Sequence, residues 1–194
     1  GGTTLAELDL AWRQRCRAVM ISGSDAHLEQ IRRTGVTPLD RRKFGEILFD
    51  EKRYAEDGAF RRAYTQAERA FLLEVAERTE GENVQIFVDY LGSPLFRATS
   101  KALGREGVIT TAGWKEGMAI TYLRSVECIG RHQFIHTHYA RYSQGLAAVA
   151  YGEEYGWMPE IDERIYSFDE IPELAARFRR GETGFYPIYS VNKE

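Results

Sequence analysis

The segment 129–142 reads "IGRHQFIHTHYARY" and contains three of the four histidines in the chain, His132, His136 and His138. Three imidazoles that converge could hold a zinc ion and leave one open position. The spacing argues against convergence, because a six-residue extended span separates its ends by about 20 Å and no Gly or Pro between the histidines forces a turn. We therefore expect no metal site here. The open alternatives are one catalytic histidine, or histidines that only pack or face solvent.

A glycine-rich turn at the start of the chain is a second candidate for chemistry. Gly1, Gly2, Thr3 and Thr4 directly precede the segment 5–16, whose apolar residues recur at helical spacing. In doubly wound folds such a turn lets the backbone approach a pyrophosphate at the N-terminus of a helix. Two glycines at this place are equally compatible with no ligand at all. The order of the elements that follow is therefore needed to choose between the two.

Short apolar runs alternate with helical segments along most of the chain. Strands are predicted over 17–22, 36–40, 84–92, 107–113 and 126–132, with a last one near the end of the chain. Helices are predicted over 5–16, from Ser24 or Asp25 to Gly35, over 93–104, over 140–152 and within the C-terminal segment. This alternation is typical of an α/β fold in which helices cover both faces of a parallel sheet.

The region 41–80, here called the insertion, is rich in Arg, Glu, Lys and Ala and interrupts that alternation. Its second half, 65–81, has the apolar spacing of an amphipathic helix. The residues expected to face inward are Ala67, Ala70, Phe71, Leu73 and Val75.

Composition excludes several classes of protein. A chain of 194 residues with 43% hydrophobic residues and a net charge of -3 is large enough for a core and has no overall attraction for nucleic acid. Cys16 and Cys128 are far apart and form no CxxC pair, so we expect no disulfide framework and a cytoplasmic location. No apolar run approaches the roughly 20 residues that span a bilayer, so we expect no membrane partner.

The order of the motifs resembles the C-terminal two-thirds of the medium-chain dehydrogenase/reductase superfamily. The corresponding residues are Val88–Gly92 as the "hydrophobic-Asp-x-x-Gly" segment, Leu103–Gly107, Val108–Gly113, Ile129-Gly130 and the tail "FDEIPELAARFRRGETGFYPIYSV". The resemblance implies a Rossmann-type, doubly wound parallel sheet over 1–158, with the insertion within it. It also implies that 159–194 packs on the catalytic domain.

The insertion resembles one found in crotonyl-CoA carboxylase/reductases and related enoyl-thioester reductases, which use NADPH. In that family the histidine of an "Ile-Gly-x-His" sequence helps to hold carbon dioxide, and His132 falls on that position. The resemblance therefore implies reduction of an enoyl thioester carried by coenzyme A or acyl carrier protein, with or without carboxylation, and His132 as the catalytic residue.

The resemblance also implies which residues contact the cofactor. Ser22-Gly23-Ser24 stands where an acidic residue would bind the ribose of NAD, and this favours NADPH. Nearby cations that could meet its 2′-phosphate are Arg32, Arg33, Arg41 and Arg42. The full set of expected cofactor contacts is Gly1, Gly2, Thr3, Ser22, Gly23, Ser24, Tyr90, Leu91, Gly92, Ala112, Gly113 and Trp114.

Some departures from the family pattern keep other functions open. The family's first strand and its barrel-like (GroES-like) N-terminal catalytic domain have no counterpart in the sequence, so we expect the longer protein or another polypeptide to supply them. Thr4 replaces a glycine of the phosphate turn, and Tyr90 replaces a histidine of the carboxylating members. The alternatives are a quinone or alkenal reductase and a non-catalytic Rossmann dimerisation module. A homodimer through 114–138 is expected.

Overall fold

The structure is a computed structural model that describes residues 1–113, 115–116, 119, 129–137, 139 and 141–192. Its helices are α1 (Gly2–Arg13), α2 (Asp25–Arg33), α3 (Glu51–Glu56), α4 (Gly58–Arg78), α5 (Ser93–Ala102), α6 (Tyr142–Tyr155) and α7 (Ile171–Arg180). Its strands are β1 (Val19–Ser22), β2 (Thr37–Asp40), β3 (Val84–Val88), β4 (Leu103–Thr111), β5 (Phe134–Thr137), β6 (Ile165–Tyr166) and β7 (Ile188–Tyr189). No described helix is both long and apolar enough to cross a bilayer.

The chain forms two compact units, which are described separately. The first unit consists of Gly1–Arg41 and Tyr142–Glu194, and the second of Arg42–Arg141. The predicted division, with a Rossmann domain over 1–158 and a segment 159–194 that packs on the catalytic domain, stays a prediction.

In the first unit, β1 and β2 pair in parallel, with Ser22 opposite Asp40 at their carboxyl ends. The side chain of Ser24 caps α2 by accepting the backbone N–H of His27 at 3.5 Å, as expected for a serine before a helix. After the helix, Gly35 has φ +85° and lies directly against the ring of Trp12, so a side chain at Gly35 has no room. The core of the unit consists of Leu5, Ala18, Met20, Ile31, Val36 and Phe185.

The C-terminal segment contributes to this core. The side chain of Phe185 is 3% exposed among residues of α1, β1 and α2, and its ring stacks on that of His27 at 4.6 Å between centroids. The N–H of Gly184 donates to a carboxylate oxygen of Asp162 at 2.9 Å. The tail therefore packs on α1, β1 and α2 of this chain, and its predicted contact with a catalytic domain stays a prediction.

In the second unit, β3, β4 and β5 form a parallel sheet in that order. One face of the sheet packs against α5, with Phe96, Leu103 and Ile109 buried together and Phe87 and Ile135 partly buried against them. Within the described residues β1 pairs only with β2, and β6 pairs in parallel with β7, so the strands belong to three sheets. The α/β class and the parallel direction of the strands are confirmed.

The insertion forms α3 and α4, which begin at the capping carboxylates of Asp50 and Asp57. The buried side chains of α4 recur at spacings of three and four and include Phe60, Tyr64, Ala67, Phe71 and Val75. The prediction for Ala67, Phe71 and Val75 is confirmed. The prediction for Leu73 is wrong, because this side chain is 60% exposed; it lies two residues from Phe71 and Val75, on the opposite side of the helix.

Of the strand expected over 126–132, the described residues 129–132 are not in a strand. Residues 126–128 lie outside the described residues, Ile129 and Gly130 are not in a strand, and β5 starts at Phe134. The side chain of Gln133 is buried and donates to the carbonyl oxygens of Ser100 at 3.1 Å and Leu103 at 3.2 Å. These two bonds fix the start of the strand beside the end of α5. His136 lies within β5.

Candidate functional site

In the first unit, the carboxyl end of β1 carries two hydroxyl groups that flank a glycine. The N–H of Ser24 donates to the Ser22 hydroxyl at 3.3 Å, while the Ser24 hydroxyl caps α2. A Cβ placed on Gly23 would lie 3.1 Å from Cγ and 3.2 Å from Cδ of Arg41, and closer still to its Nε. Gly23 therefore gives the Arg41 side chain the space to lie across this end of the strand.

Arg41 follows β2 directly and is exposed to solvent. The register of the two strands brings it beside Ser22–Ser24, because Ser22 and Asp40 are opposite each other. A guanidinium beside two hydroxyl groups and a helix N-terminus can donate several hydrogen bonds to one phosphate. Of the four arginines that the sequence offered, Arg32 pairs with Glu29 at 2.9 Å and Arg33 pairs with Glu163. Arg41 is the arginine whose side chain lies against Gly23.

The glycine-rich turn at the start of α1 is covered by a tyrosine. A Cβ on Gly2 would lie 2.8 Å from Cδ2 of Tyr186, whereas the space around a Cβ on Gly1 is open. The Tyr186 hydroxyl is 3.4 Å from the hydroxyl oxygen of Thr3. Tyr186 has φ +45°, a conformation that is uncommon for a residue with a side chain. Because Gly2 has no side chain, another group can approach its backbone closely, and in this structure that group is the Tyr186 ring.

A cavity of about 200 Å³ adjoins this turn. It lies among the N-terminus of α1, the end of β1 and the segment 181–186, and its lining includes Gly2, Ser22, His27 and Tyr186. The His27 ring is held at its wall, with Nε2 2.9 Å from the carbonyl oxygen of Thr183. Pockets that enclose whole small-molecule ligands have volumes of roughly 300–1,000 Å³, so this cavity has room for only part of a dinucleotide.

In the second unit, the turn after β3 is held by a buried carboxylate. Asp89 is 3% exposed, and its Oδ1 accepts the N–H groups of Leu91 at 2.8 Å and Gly92 at 3.0 Å. Its Oδ2 is buried without a hydrogen-bond partner. Burial raises the pKa of Asp89, and the two N–H groups act in the opposite direction. Gly92 has φ +89° and begins α5, with Pro94 in the first turn.

The end of β4 lies beside that turn. The Thr111 hydroxyl accepts the N–H of Gly113 at 3.0 Å and donates to its carbonyl oxygen at 2.9 Å. The N–H of Lys115 donates to the carbonyl of Tyr90 at 2.9 Å, and that of Glu116 donates to Leu91 at 2.9 Å. The structure therefore brings together the predicted contacts Tyr90, Leu91, Gly92, Ala112 and Gly113. Trp114 lies outside the described residues.

His132 lies at the other end of the same sheet. It precedes β5 by two residues and has φ +54°, and the carbonyl of its neighbour Arg131 accepts the N–H of Glu106 early in β4. Because Thr111 is opposite Thr137 at the carboxyl end, His132 is separated from Gly113 by about 20 Å along the strands. The structure does not bring His132 together with Tyr90–Gly92, and its carbon dioxide-binding role stays a prediction from the resemblance.

The other histidines form no metal centre among the described residues, where no three His, Cys, Asp or Glu side chains converge to hold an ion. His136 is exposed on β5, and His138 lies outside the described residues.

Two features of these sites were missed from the sequence. The Asp-x-x-Gly spacing of Asp89 and Gly92 could have revealed that the carboxylate holds the turn, since an Asp accepting N–H groups two and three residues ahead is a common turn motif. No local signal identifies Tyr186, which is 184 positions after Gly2 and meets it only in the folded chain.

No protein-family model and no curated protein matches the chain. Solved structures do match it. A variant of the crotonyl-CoA carboxylase/reductase AntE in complex with NADP has a TM-score of 0.79 at 17% identity, over 100% of this chain and 48% of that one. Mycobacterial Rv1454c complexed with NADPH has a TM-score of 0.69 at 14% identity, over 97% of this chain and 54% of that one. A quinone oxidoreductase from Pseudomonas syringae pv. tomato has a TM-score of 0.67 at 11% identity, over 97% of this chain and 53% of that one.

These proteins are medium-chain dehydrogenases/reductases. The chain has the fold of their nucleotide-binding half. It spans about half the length of each of them.

Proposed function

We propose that the chain binds NADPH and forms the nucleotide-binding half of an oxidoreductase that reduces an enoyl thioester. The observation that supports NADPH as the cofactor is the Arg41 side chain lying against Gly23, the residue between Ser22 and Ser24 in the chain. An acidic residue at this place would favour NADH, whereas an arginine accommodates the 2′-phosphate of NADPH. When bound, NADPH supplies a hydride.

The two predicted phosphate sites, at the end of β1 and at the start of α1, differ in how well their residues could hold the cofactor. Ser22–Ser24 and Arg41 offer a cation, two hydroxyl groups and the N-terminus of α2 to a phosphate. At the turn of α1 the Tyr186 ring already lies on Gly2. A pyrophosphate that used this turn, as the sequence predicts, would displace the ring.

The proposed substrate rests on the insertion and on the likeness to AntE. The insertion is an ordered pair of helices, α3 and α4, in the second unit. The thioester could be carried by coenzyme A or acyl carrier protein, and carboxylation could accompany reduction as in a crotonyl-CoA carboxylase/reductase. A quinone or alkenal reductase is the alternative within the same fold.

Calorimetric titration tests the cofactor. We expect NADPH to bind more tightly than NADH, and Arg41→Gln to weaken NADPH binding roughly 10- to 100-fold while leaving NADH unchanged, because hydrogen bonds to a charged group are lost. The control is Arg32→Gln, which removes an exposed arginine of α2 that pairs with Glu29. Equal loss of NADPH and NADH binding would contradict the role of Arg41.

The substrate is tested with the natural full-length protein, by following NADPH oxidation with crotonyl-CoA, with and without bicarbonate, and with a quinone. Oxidation with crotonyl-CoA supports the proposal, and a carboxylated product extends it to reductive carboxylation. Oxidation with the quinone alone would replace the proposal by its alternative.

The Tyr186 ring on Gly2 favours a second candidate, a Rossmann module that no longer binds a cofactor. This candidate predicts that neither the wild-type chain nor Tyr186→Ala binds NADPH at millimolar concentration. Binding by either form excludes it.

We also propose a homodimer through 114–138. Its support within the described residues is β5, an edge strand of its sheet on which Phe134 is 57% exposed. An uncovered strand edge offers backbone groups to a second copy.

A further inference from the structure

An arginine of α5 is enclosed by aromatic rings of the insertion. The guanidinium carbon of Arg97 lies 4.7 Å from the ring centroid of Phe49, 4.8 Å from that of Tyr54 and 5.9 Å from that of Tyr64. The three rings also contact one another, with centroids 5.2–5.8 Å apart. A cation within about 6 Å of an aromatic face is attracted to it. The rings therefore fix Arg97, and with it α5, against the insertion.

A buried carboxylate completes this contact. Glu68 of α4 is 8% exposed; one of its oxygens lies 3.6 Å from Nε of Arg97 and the other 2.7 Å from Nζ of Lys101. The Tyr64 hydroxyl donates to Glu68 at 3.0 Å. Burial, followed by the charge of Glu68, raises the pKa of Tyr64, so its hydroxyl keeps its proton and remains a donor. Two cations of α5 thus meet one anion of α4.

The insertion also holds the first turn of α5 directly. The N–H of Phe49 donates to the carbonyl of Pro94 at 2.7 Å. Pro94 lies two residues after Gly92, whose own carbonyl accepts the N–H groups of Leu95 and Phe96. The N–H of Gly92 is bound by Asp89. One hydrogen bond therefore joins Phe49 to the first turn of α5, two residues along the chain from the turn that carries the predicted cofactor contacts.

We propose that the insertion positions the Tyr90–Gly92 turn for cofactor binding, with Arg97 and Phe49 as its positioning residues. This inference rests on the proposed binding of NADPH. Arg97 fixes the axial position of α5 from its side, and Phe49 fixes the first turn. The insertion thereby acts on the cofactor through α5 without touching it.

The test compares two ligands. Adenosine 2′,5′-bisphosphate is the adenosine half of NADPH with its 2′-phosphate, and it lacks the nicotinamide half. We expect Arg97→Met to raise the Kd of NADPH about three- to tenfold, the usual range for a residue that acts through others, and to leave the Kd of the bisphosphate unchanged. Phe49→Leu, a milder change that keeps the backbone N–H, should act in the same direction.

The matched control is Arg69→Met, because Arg69 is an exposed arginine of α4; both Kd values should stay as in the wild type. Arg97→Lys keeps the charge beside Glu68 and should restore part of the NADPH affinity. If Arg97→Met and Phe49→Leu bind NADPH as the wild type does, or lose both ligands equally, the positioning role is overturned. If the wild type binds neither ligand, the proposed function fails instead.

Discussion

The two oxygens of the Asp89 carboxylate have unequal surroundings. Oδ1 accepts two backbone N–H groups, while Oδ2 is buried and has no hydrogen-bond partner. Burial opposes the charged form more than the N–H groups favour it, so the pKa of Asp89 is raised. The negative charge of Asp89 therefore destabilises the folded state. The residue stabilises the turn through the hydrogen bonds that its Oδ1 accepts.

Asp89→Asn tests this balance, since the amide keeps an acceptor for Leu91 and Gly92 and removes the charge. A carboxyl group whose pKa is raised on folding contributes its full stability below its unfolded pKa and loses it as the pH rises through the folded pKa. We therefore expect the Asn variant to gain stability relative to the wild type between pH 4 and pH 8. Urea unfolding at both pH values measures the difference.

Asp57→Asn is the control, for which we expect the opposite change of stability with pH. Asp57 caps α4, and the N–H groups of Phe60 and Ala59 lower its pKa, so its contribution is present at neutral pH and is lost on acidification. Its Asn variant should lose stability relative to the wild type as the pH rises. A common pH trend for both variants would contradict the assignment for Asp89.

Helix α4 makes ion pairs of two kinds. Glu68 on its buried face pairs with residues of α5, and Glu74 pairs with another residue of α4 at the surface. Glu68 meets Lys101 and Arg97 of α5, each with a side chain 38% exposed. Glu74 meets Arg78 within α4 at 2.6 Å. Removing the partner of two cations leaves them poorly compensated, whereas a surface pair within one helix contributes little.

Glu68→Ala should lower the free energy of unfolding by about 2 kcal/mol, less than for a fully buried pair because both cations reach solvent. Glu74→Ala should lower it by only about 0.5 kcal/mol. Urea unfolding of the two variants at pH 7 gives the comparison. Similar losses would mean that the α4–α5 contact depends on its aromatic rings alone.

The elements were predictable where the signal is local. The apolar runs of β1 and β2, the cap at Ser24 and the Asp89–Gly92 spacing each act within a few residues, and the structure forms them as the pattern indicates. The sequence also identified Ser22–Ser24, at the carboxyl end of β1, as predicted cofactor contacts. The position of Arg41 beside them depends on the pairing of β1 with β2.

Long-range contacts decided the remaining features. The start of β5 is fixed by Gln133 bonding to the end of α5, about 30 residues away in the chain. The position of His132 follows from that register. Tyr186 reaches Gly2 because Phe185 is buried in the first unit. Periodicity and spacing carry no information about such contacts.

At the scale of the whole molecule, apolar surface remains uncovered among the described residues. On the sheet of the second unit, Ile86, Val108 and Phe134 are opposite one another, and Ile86 is 65% exposed. In the first unit, α6 has no buried residue although it carries Leu146 and Val149. Exposed apolar patches of this kind mark surfaces that bind a partner.

The proposed homodimer places one of these surfaces in contact with a second copy. We expect the wild-type chain to be a dimer by light scattering and Phe134→Lys to halve its mass, because the substitution puts a charge on the β5 surface. Leu73→Lys is the control, since Leu73 is equally exposed on α4 and far from 114–138 in sequence. A wild-type monomer, or a Phe134→Lys dimer, would contradict this interface.

The ring of Tyr186 on Gly2 has a consequence for how affinity is set. A ligand that needs the same space binds only the fraction of molecules in which the ring has moved away, and its apparent Kd rises by the inverse of that fraction. The identity of residue 186 could then change cofactor affinity over a wide range without altering any group that the cofactor touches. Tyr186 would in this way set the cofactor concentration that is needed to fill the turn at Gly2.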